Sequence, residues 1–90
     1  MNIISPIQFS ITDSEKATAI CLLQDMTVKQ ITELRHLSFA GVQSQTVRIR
    51  EKMHSTTIYA ALARMIALEI IHKEELISCL PKDWNPRREI

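Results

Sequence analysis

The chain has 90 residues, of which 46% are apolar and 23% are charged, and it contains a single Gly. This length fits one small domain, and the apolar content excludes a disordered chain. One Gly and 4% aromatic residues are too few for an all-β fold, which needs many turns and aromatic strand residues, whereas the abundant Ala, Leu, Ile, Met, Glu, Lys and Gln favour helices. We therefore predict an all-α fold, a small domain of four to five helices.

The net charge of +1 conceals a basic segment in the middle of the chain. Residues 1–40 hold three basic and four acidic side chains, residues 41–64 hold four against one, and residues 65–90 hold four against five. A polyanionic partner would therefore meet the middle segment. Because the total charge is modest, strong binding would require several copies, so we expect a homo-oligomer.

Neither the cysteines nor the histidines form a motif with a known chemistry. Cys21 and Cys79 match no metal or redox spacing, which predicts buried thiols in a reducing compartment. His36, His54 and His72 are 18 residues apart and are accompanied by no carboxylate pair, phosphate loop or nucleophile motif. We expect no enzyme, no cofactor and no metal site. With no signal-peptide pattern and no run of roughly 20 apolar residues, we expect a cytoplasmic protein without a membrane partner.

The chain divides into an apolar N-terminal arm (residues 1–11), a helical domain (12–80) and a polar C-terminal tail (81–90). The arm either packs on the core or mediates self-association, and Trp84 of the tail is expected to cover the core. In the domain, Thr12 and Glu15 form a capping-box pattern that predicts a helix over residues 13–24. Thr27 and Gln30 repeat this pattern and predict a second helix that ends near Ala40.

Two further helices are expected after the second. Gly41 stands where a left-handed C-terminal cap is needed, and Ser44 is suited to cap a third helix that ends near Met53. Ser55 or Thr56 would cap a fourth helix, which would run to about Ile71 or Lys73. A last apolar turn stops at Pro81.

The third and fourth helices together suggest a helix-turn-helix. This motif needs apolar packing residues in the first helix, in the turn and on the buried face of the second helix. Val47, Met53, Ile58 and either Ala61 or Leu62 have the required spacing. The alternation of residues 46–50 is also typical of a strand, so a ribbon-helix-helix dimer is an alternative. A plain helical bundle with a solvated charged face is another. The predicted DNA-binding residues are Ser44, Arg48, Arg50, Lys52, His54, Ser55, Thr56, Thr57, Tyr59 and Arg64.

Residues 29–65 resemble the PapB-type regulators of fimbrial (adhesin) operons in enteric bacteria. The similarity runs through KQITELRHLSFAG and continues without gaps through VQSQTVRIREKMHSTTIYAALARM. Landmarks that carry it include Gly41, Val47, Met53, Ile58 and the Leu-Ala-Arg-Met sequence of residues 62–65. LuxR-type response-regulator output domains share much of the same pattern. The resemblance implies a transcriptional regulator that oligomerises on AT-rich double-stranded DNA upstream of adhesin genes.

We therefore expect a DNA-binding transcriptional regulator. The rival hypothesis is a small protein-interaction module or co-regulator that does not bind DNA. It is favoured by the apolar arm and by the fourth helix, which is rich in Ala and Met and is suited to contact a partner helix.

Overall fold

A computed structural model describes residues 10–77, which form five α-helices and contain no strand within that range. The helices are α1 (Asp13–Leu23), α2 (Val28–Arg35), α3 (Phe39–Lys52), α4 (Ile58–Ala67) and α5 (Glu74–Ile77). The predicted all-α class with four to five helices is confirmed. The alternative prediction of a strand over residues 46–50 is wrong, because these residues belong to α3.

The first two helices begin where the capping patterns predict. The Thr12 hydroxyl accepts a hydrogen bond from the Glu15 amide, and the Glu15 carboxylate accepts one from the Thr12 amide, both at 3.0 Å. Thr27 and Gln30 form the same reciprocal pair at 2.8 and 3.2 Å. Each pair satisfies two backbone donors that the first helical turn leaves without partners.

The boundary between α2 and α3 differs from the prediction. α2 ends at Arg35, and His36 takes a left-handed φ of 56°. Ser38 caps the next helix, since its hydroxyl accepts a hydrogen bond from the Gly41 amide at 2.9 Å. Gly41 therefore lies in the first turn of α3 and is not a C-terminal cap, and Ser44 lies inside α3 and does not cap it.

α4 is shorter than predicted and begins later. Its N-cap is Thr57, whose hydroxyl accepts from the Ala60 amide at 3.1 Å, rather than Ser55 or Thr56. The helix ends at Ala67, and Glu69 then takes a left-handed φ of 61°, which turns the chain away.

Two apolar clusters hold the helices together. The main core lies between α1, α3, α4 and the segment after α4, and its buried residues are Ala19, Ile49, Met53, Ala61, Leu62, Met65 and Ile71. A second core joins α1, α2 and α3 through Cys21, Ile31 and Val42. Leu34, at helical spacing from Ile31, is 62% exposed and does not join either cluster. Because α1 and α3 both contribute buried residues to each core, they form the centre of the described fold.

No helix within residues 10–77 has the length and apolarity to cross a membrane. The predictions for Cys79, for Trp84, for the tail and for most of the N-terminal arm concern residues outside the described range.

Candidate nucleic-acid interface

Only three residues (36–38) connect α2 to α3. His36 ends α2 in the left-handed conformation, and Leu37 packs against the second core beside Ile31 of α2 and Val42 of α3. This packing fixes the turn to both helices. The length of this connection falls within the three to four residues of the turn in a helix-turn-helix unit.

One side of α3 is exposed to solvent. Its residues recur every three to four positions, which places them on a single face of the helix: Ala40, Gln43, Ser44, Val47 and Glu51. We call these five residues the α3 exposed face. Within residues 10–77, the side chains of Gln43 and Ser44 have no hydrogen-bond partner. The first two turns of this face therefore present uncharged side chains, and those of Gln43 and Ser44 have unused donors and acceptors.

Val47 was predicted to occupy one of the apolar packing positions of a helix-turn-helix, and this is wrong. Its exposed fraction is 39%, whereas Val42, Gln45 and Ile49 are buried. The reason is the true start of the helix at Phe39. The second core fixes Val42 inward, and the helical period then turns Val47 outward.

Two of the predicted DNA-binding cations, Arg48 and Lys52, form ion pairs with Glu15 of α1. Arg48 Nε lies 3.1 Å from Glu15 Oε2, and Lys52 Nζ lies 2.8 Å from Glu15 Oε1. Lys52 Nζ also donates to the Ser10 carbonyl at 3.0 Å. The Arg48 side chain is 50% exposed and the Lys52 side chain 21%, so Arg48 is the more accessible to a phosphate.

Glu15 is almost fully buried, with 2% of its surface exposed. Burial by itself raises the pKa of its carboxyl group, but the hydrogen bonds from Lys52, from the Thr12 amide and from Arg48 together lower that pKa by more than burial raises it. The net pKa lies below the ordinary value of 4.5, and the carboxylate is ionised at neutral pH. This charge ties α1 to the second half of α3.

The two other predicted arginines brace the turn at residues 53–57. Arg50 donates to the Thr56 carbonyl at 3.2 Å. Arg64 donates from α4 to the carbonyls of Met53 and His54 at 2.7 and 2.6 Å, at the C-terminal end of α3. The two Arg64 contacts give a donor to the carbonyls at and just after the C-cap of α3, where amide partners run out. Arg64 is therefore a cap of α3 as well as a surface cation.

The remaining predicted residues lie in the turn and at the start of α4. His54 and Thr56 are exposed, and Ser55 is half-buried with its hydroxyl donating to the Met53 carbonyl at 3.1 Å. Thr57 caps α4, and Tyr59 is 81% exposed. Ser44 and Arg48, by contrast, belong to the outward half of α3. The predicted residues thus separate into a group on α3 and a group around residues 53–64.

Ala40 and Gln43 were not among the predicted site residues. Both lie on the α3 exposed face, one helical turn before Ser44 and Val47. Their signal in the sequence is the three-to-four spacing of small and polar residues after Ser38, which is visible only when Ser38 is taken as the helix start.

Comparison of the chain with protein-family models, with curated proteins and with solved structures finds no match in any of the three. Among residues 10–77, no group of three or more His, Cys, Asp or Glu side chains is placed to hold a metal ion.

Proposed function

We propose that this protein binds double-stranded DNA as a transcriptional regulator, with α2, residues 36–38 and α3 as its helix-turn-helix unit. The observation that carries the proposal is the combination of a three-residue turn with an exposed face on the second helix whose first two turns (Ala40, Gln43 and Ser44) carry no charge. In such units the second helix enters the major groove and its first turns meet the base edges, while the first helix crosses the backbone. The proposal moves the DNA-binding unit one helix earlier than the sequence pattern suggested.

The chemistry of the α3 exposed face supports a site rich in A·T pairs. A glutamine amide can form two hydrogen bonds with the N6 and N7 atoms of adenine, and Gln43 is exposed on the first half of α3. Ala40 and Val47 offer methyl groups of the kind that contact the C5-methyl group of thymine. Ser44 can bond to several bases. The AT-rich preference that the resemblance implies is therefore compatible with these side chains.

The charge around this unit supports moderate binding to the phosphate backbone. Residues 28–52 hold five basic and two acidic side chains. Glu15 of α1 pairs with two of these five basic side chains, and including its charge gives a net charge of +2. Lys29, exposed near the start of α2, and Arg48 are the cations best suited to phosphates. Such a small charge favours binding by two or more copies, each with its own half-site.

Regulation of a fimbrial operon and a cytoplasmic location remain predictions that rest on the sequence. The resemblance to PapB-type regulators supports the first.

A selection experiment tests DNA binding and finds the preferred sequence in the same step. The protein would be incubated with a random duplex pool, and the enriched duplex would be compared with a scrambled duplex by fluorescence anisotropy between about 50 and 200 mM salt. We expect enrichment of an AT-rich sequence and affinity that falls as salt rises. No enrichment, together with no binding at the lowest salt, would refute the proposal.

A protein-interaction module is the second candidate, and one observation favours it. Tyr59, which is 81% exposed, borders a groove of about 340 Å³ lined mainly by apolar side chains. These are Leu22, Leu23, Met26, Ile58 and Leu62, together with Asp25. An exposed aromatic ring beside an apolar groove is typical of contacts with a partner helix. This candidate predicts no DNA binding at any salt concentration and a partner that Tyr59→Ala fails to retain.

A further inference from the structure

A buried polar network joins α1 to both helices of the proposed DNA-binding unit. Gln45 of α3 donates from Nε2 to the Ser14 hydroxyl at 2.7 Å, and its Oε1 accepts from the Thr18 hydroxyl. Arg35, the last residue of α2, donates to the Ser14 carbonyl at 2.7 Å, to the Ser14 hydroxyl at 3.0 Å and to the Thr18 hydroxyl. Four side chains from three helices thus share one set of hydrogen bonds.

The location of this network is unusual for polar residues. Thr18 has no exposed surface and Gln45 has 7%, so both side chains are removed from water. Burying such groups is unfavourable unless their hydrogen bonds are made, and apolar side chains of similar volume would fill the same space at lower cost. The polar groups fix the relative orientation of the helices more closely than apolar side chains would. Hydrogen bonds weaken steeply when their angle or distance changes, whereas apolar contacts tolerate small shifts.

The network anchors the same turn of α3 that carries the exposed face. Gln45 follows Gln43 and Ser44 directly in sequence and points to the opposite side of the helix. The side-chain tips lie about 5–6 Å from the helix axis, so a rotation of α3 by about 10° moves them by roughly 1 Å. A shift of about 1 Å takes a hydrogen bond out of its 2.7–3.2 Å range. Any loosening at Gln45 would therefore disturb contacts made by Gln43.

From this geometry we infer that Thr18 and Gln45, supported by Ser14 and Arg35, are positioning residues that set the DNA sequence selectivity of α3. Thr18 and Gln45 are buried and therefore contact no base themselves. They hold the rotation of α3 relative to α1 and α2 at the value that aligns its exposed face with the base edges. This inference rests on the proposed function, because it assumes that α3 enters a groove.

The test compares Thr18→Val with Thr18→Ser in the full-length protein. Valine keeps the shape of threonine but removes the hydroxyl that bonds Gln45 and Arg35, whereas serine keeps the hydroxyl. Selectivity is measured as the affinity for the enriched duplex divided by that for the scrambled duplex, well below the melting temperature of each variant. We expect Thr18→Val to lower this ratio about tenfold, the loss of roughly one base contact, with an unchanged affinity for the scrambled duplex. Thr18→Ser should keep most of the ratio.

A second variant covers the case in which Thr18→Val does not fold. Ser14→Ala removes the hydroxyl that accepts from Gln45 and Arg35, at a half-buried helical position that tolerates alanine. It should also lower the ratio while leaving the salt dependence unchanged.

Two results would overturn the inference, and neither is confused with a failure of the proposed function. The first is an unchanged affinity ratio in Thr18→Val or in Ser14→Ala together with a lower stability to urea. It would mean that the network stabilises the fold but does not set selectivity. A loss of selectivity in Thr18→Ser as large as that in Thr18→Val would mean that the hydroxyl is not responsible. A wild-type protein that prefers no duplex would instead refute the proposed function.

Discussion

Replacing Glu15 by glutamine tests whether the buried carboxylate holds α1 against α3. The substitution keeps the size of the side chain and one acceptor oxygen but removes the charge that attracts Lys52 and Arg48. A hydrogen bond to a charged group contributes about 1.5–3 kcal/mol, and a neutral one about 0.5–1.5 kcal/mol. The Arg48 side chain is 50% exposed, so solvent screens most of the contribution of its ion pair to stability. The bond to Lys52 therefore contributes most of the effect. We expect Glu15→Gln to lower the free energy of unfolding by about 2 kcal/mol at pH 7.

The pH dependence identifies the cause. Because the pKa of Glu15 is lowered in the folded protein, its ionisation stabilises the fold above the ordinary pKa of 4.5 that the unfolded chain has, and this stabilisation is lost as the pH falls through the folded pKa. Urea unfolding followed by circular dichroism at pH 7 and near pH 3 would measure it. The difference between the wild type and Glu15→Gln should be large at pH 7 and should shrink in acid.

A matched control is Glu51→Gln, on the exposed side of α3. Within residues 10–77 the Glu51 side chain has no ion-pair or hydrogen-bond partner. Its substitution should change stability by less than about 0.5 kcal/mol. An effect of Glu15→Gln that is equally large at both pH values, or no larger than that of the control, would refute the role of the charge.

Two further substitutions and one labelling experiment have defined outcomes. Arg64→Ala should lower the free energy of unfolding by about 1 kcal/mol in urea titration, because the His54 carbonyl loses its donor and the Met53 carbonyl keeps only the Ser55 hydroxyl; unchanged stability would contradict this. Glu69→Gly should raise the melting temperature by roughly 2–4 °C, since glycine adopts a φ of 61° without strain, and a lower melting temperature would contradict it. Burial raises the pKa of the Cys21 thiol more than Arg35 lowers it, so peptide mapping after alkylation should find Cys21 modified only slowly until urea unfolds the protein.

The starts of α1 and α2 could be predicted because their signals are local. Each capping pair, Thr12 with Glu15 and Thr27 with Gln30, lies within four residues and needs no distant partner. The apolar pattern and composition were enough for the helical class as well.

The boundary between α2 and α3 could not be predicted, because the chain does not use its glycine to end a helix. The left-handed positions of the described range belong to Asp25, His36, His54 and Glu69, residue types that are also common inside helices or on their surfaces. Gly41 instead occupies the first turn of α3, at a cost that the packing of the helix offsets. Because the sequence pattern misplaced this boundary, it assigned the helix that enters the DNA groove to α4, whereas we propose α3.

The buried polar residues were also beyond sequence reasoning. The capping-box role of Glu15 could be predicted because it is local, whereas its ion pairs could not, because they reach Arg48 and Lys52 on another helix. Thr18 and Gln45 are polar and are 27 residues apart, so nothing in the sequence marks them as partners. Such pairs depend on tertiary contacts that hydrophobic periodicity does not encode.

One pair of variants tests whether α3, as we propose, or instead the start of α4 meets the bases. Ser44→Glu and Thr56→Glu add the same negative charge at exposed positions, the first on α3 and the second before α4. Anisotropy with the enriched duplex should show that Ser44→Glu weakens binding by about 100-fold, since a carboxylate would face the acceptor atoms and phosphates of the groove, while Thr56→Glu weakens it only slightly. A strong loss of affinity in Thr56→Glu, with wild-type affinity in Ser44→Glu, would show that α3 does not meet the bases.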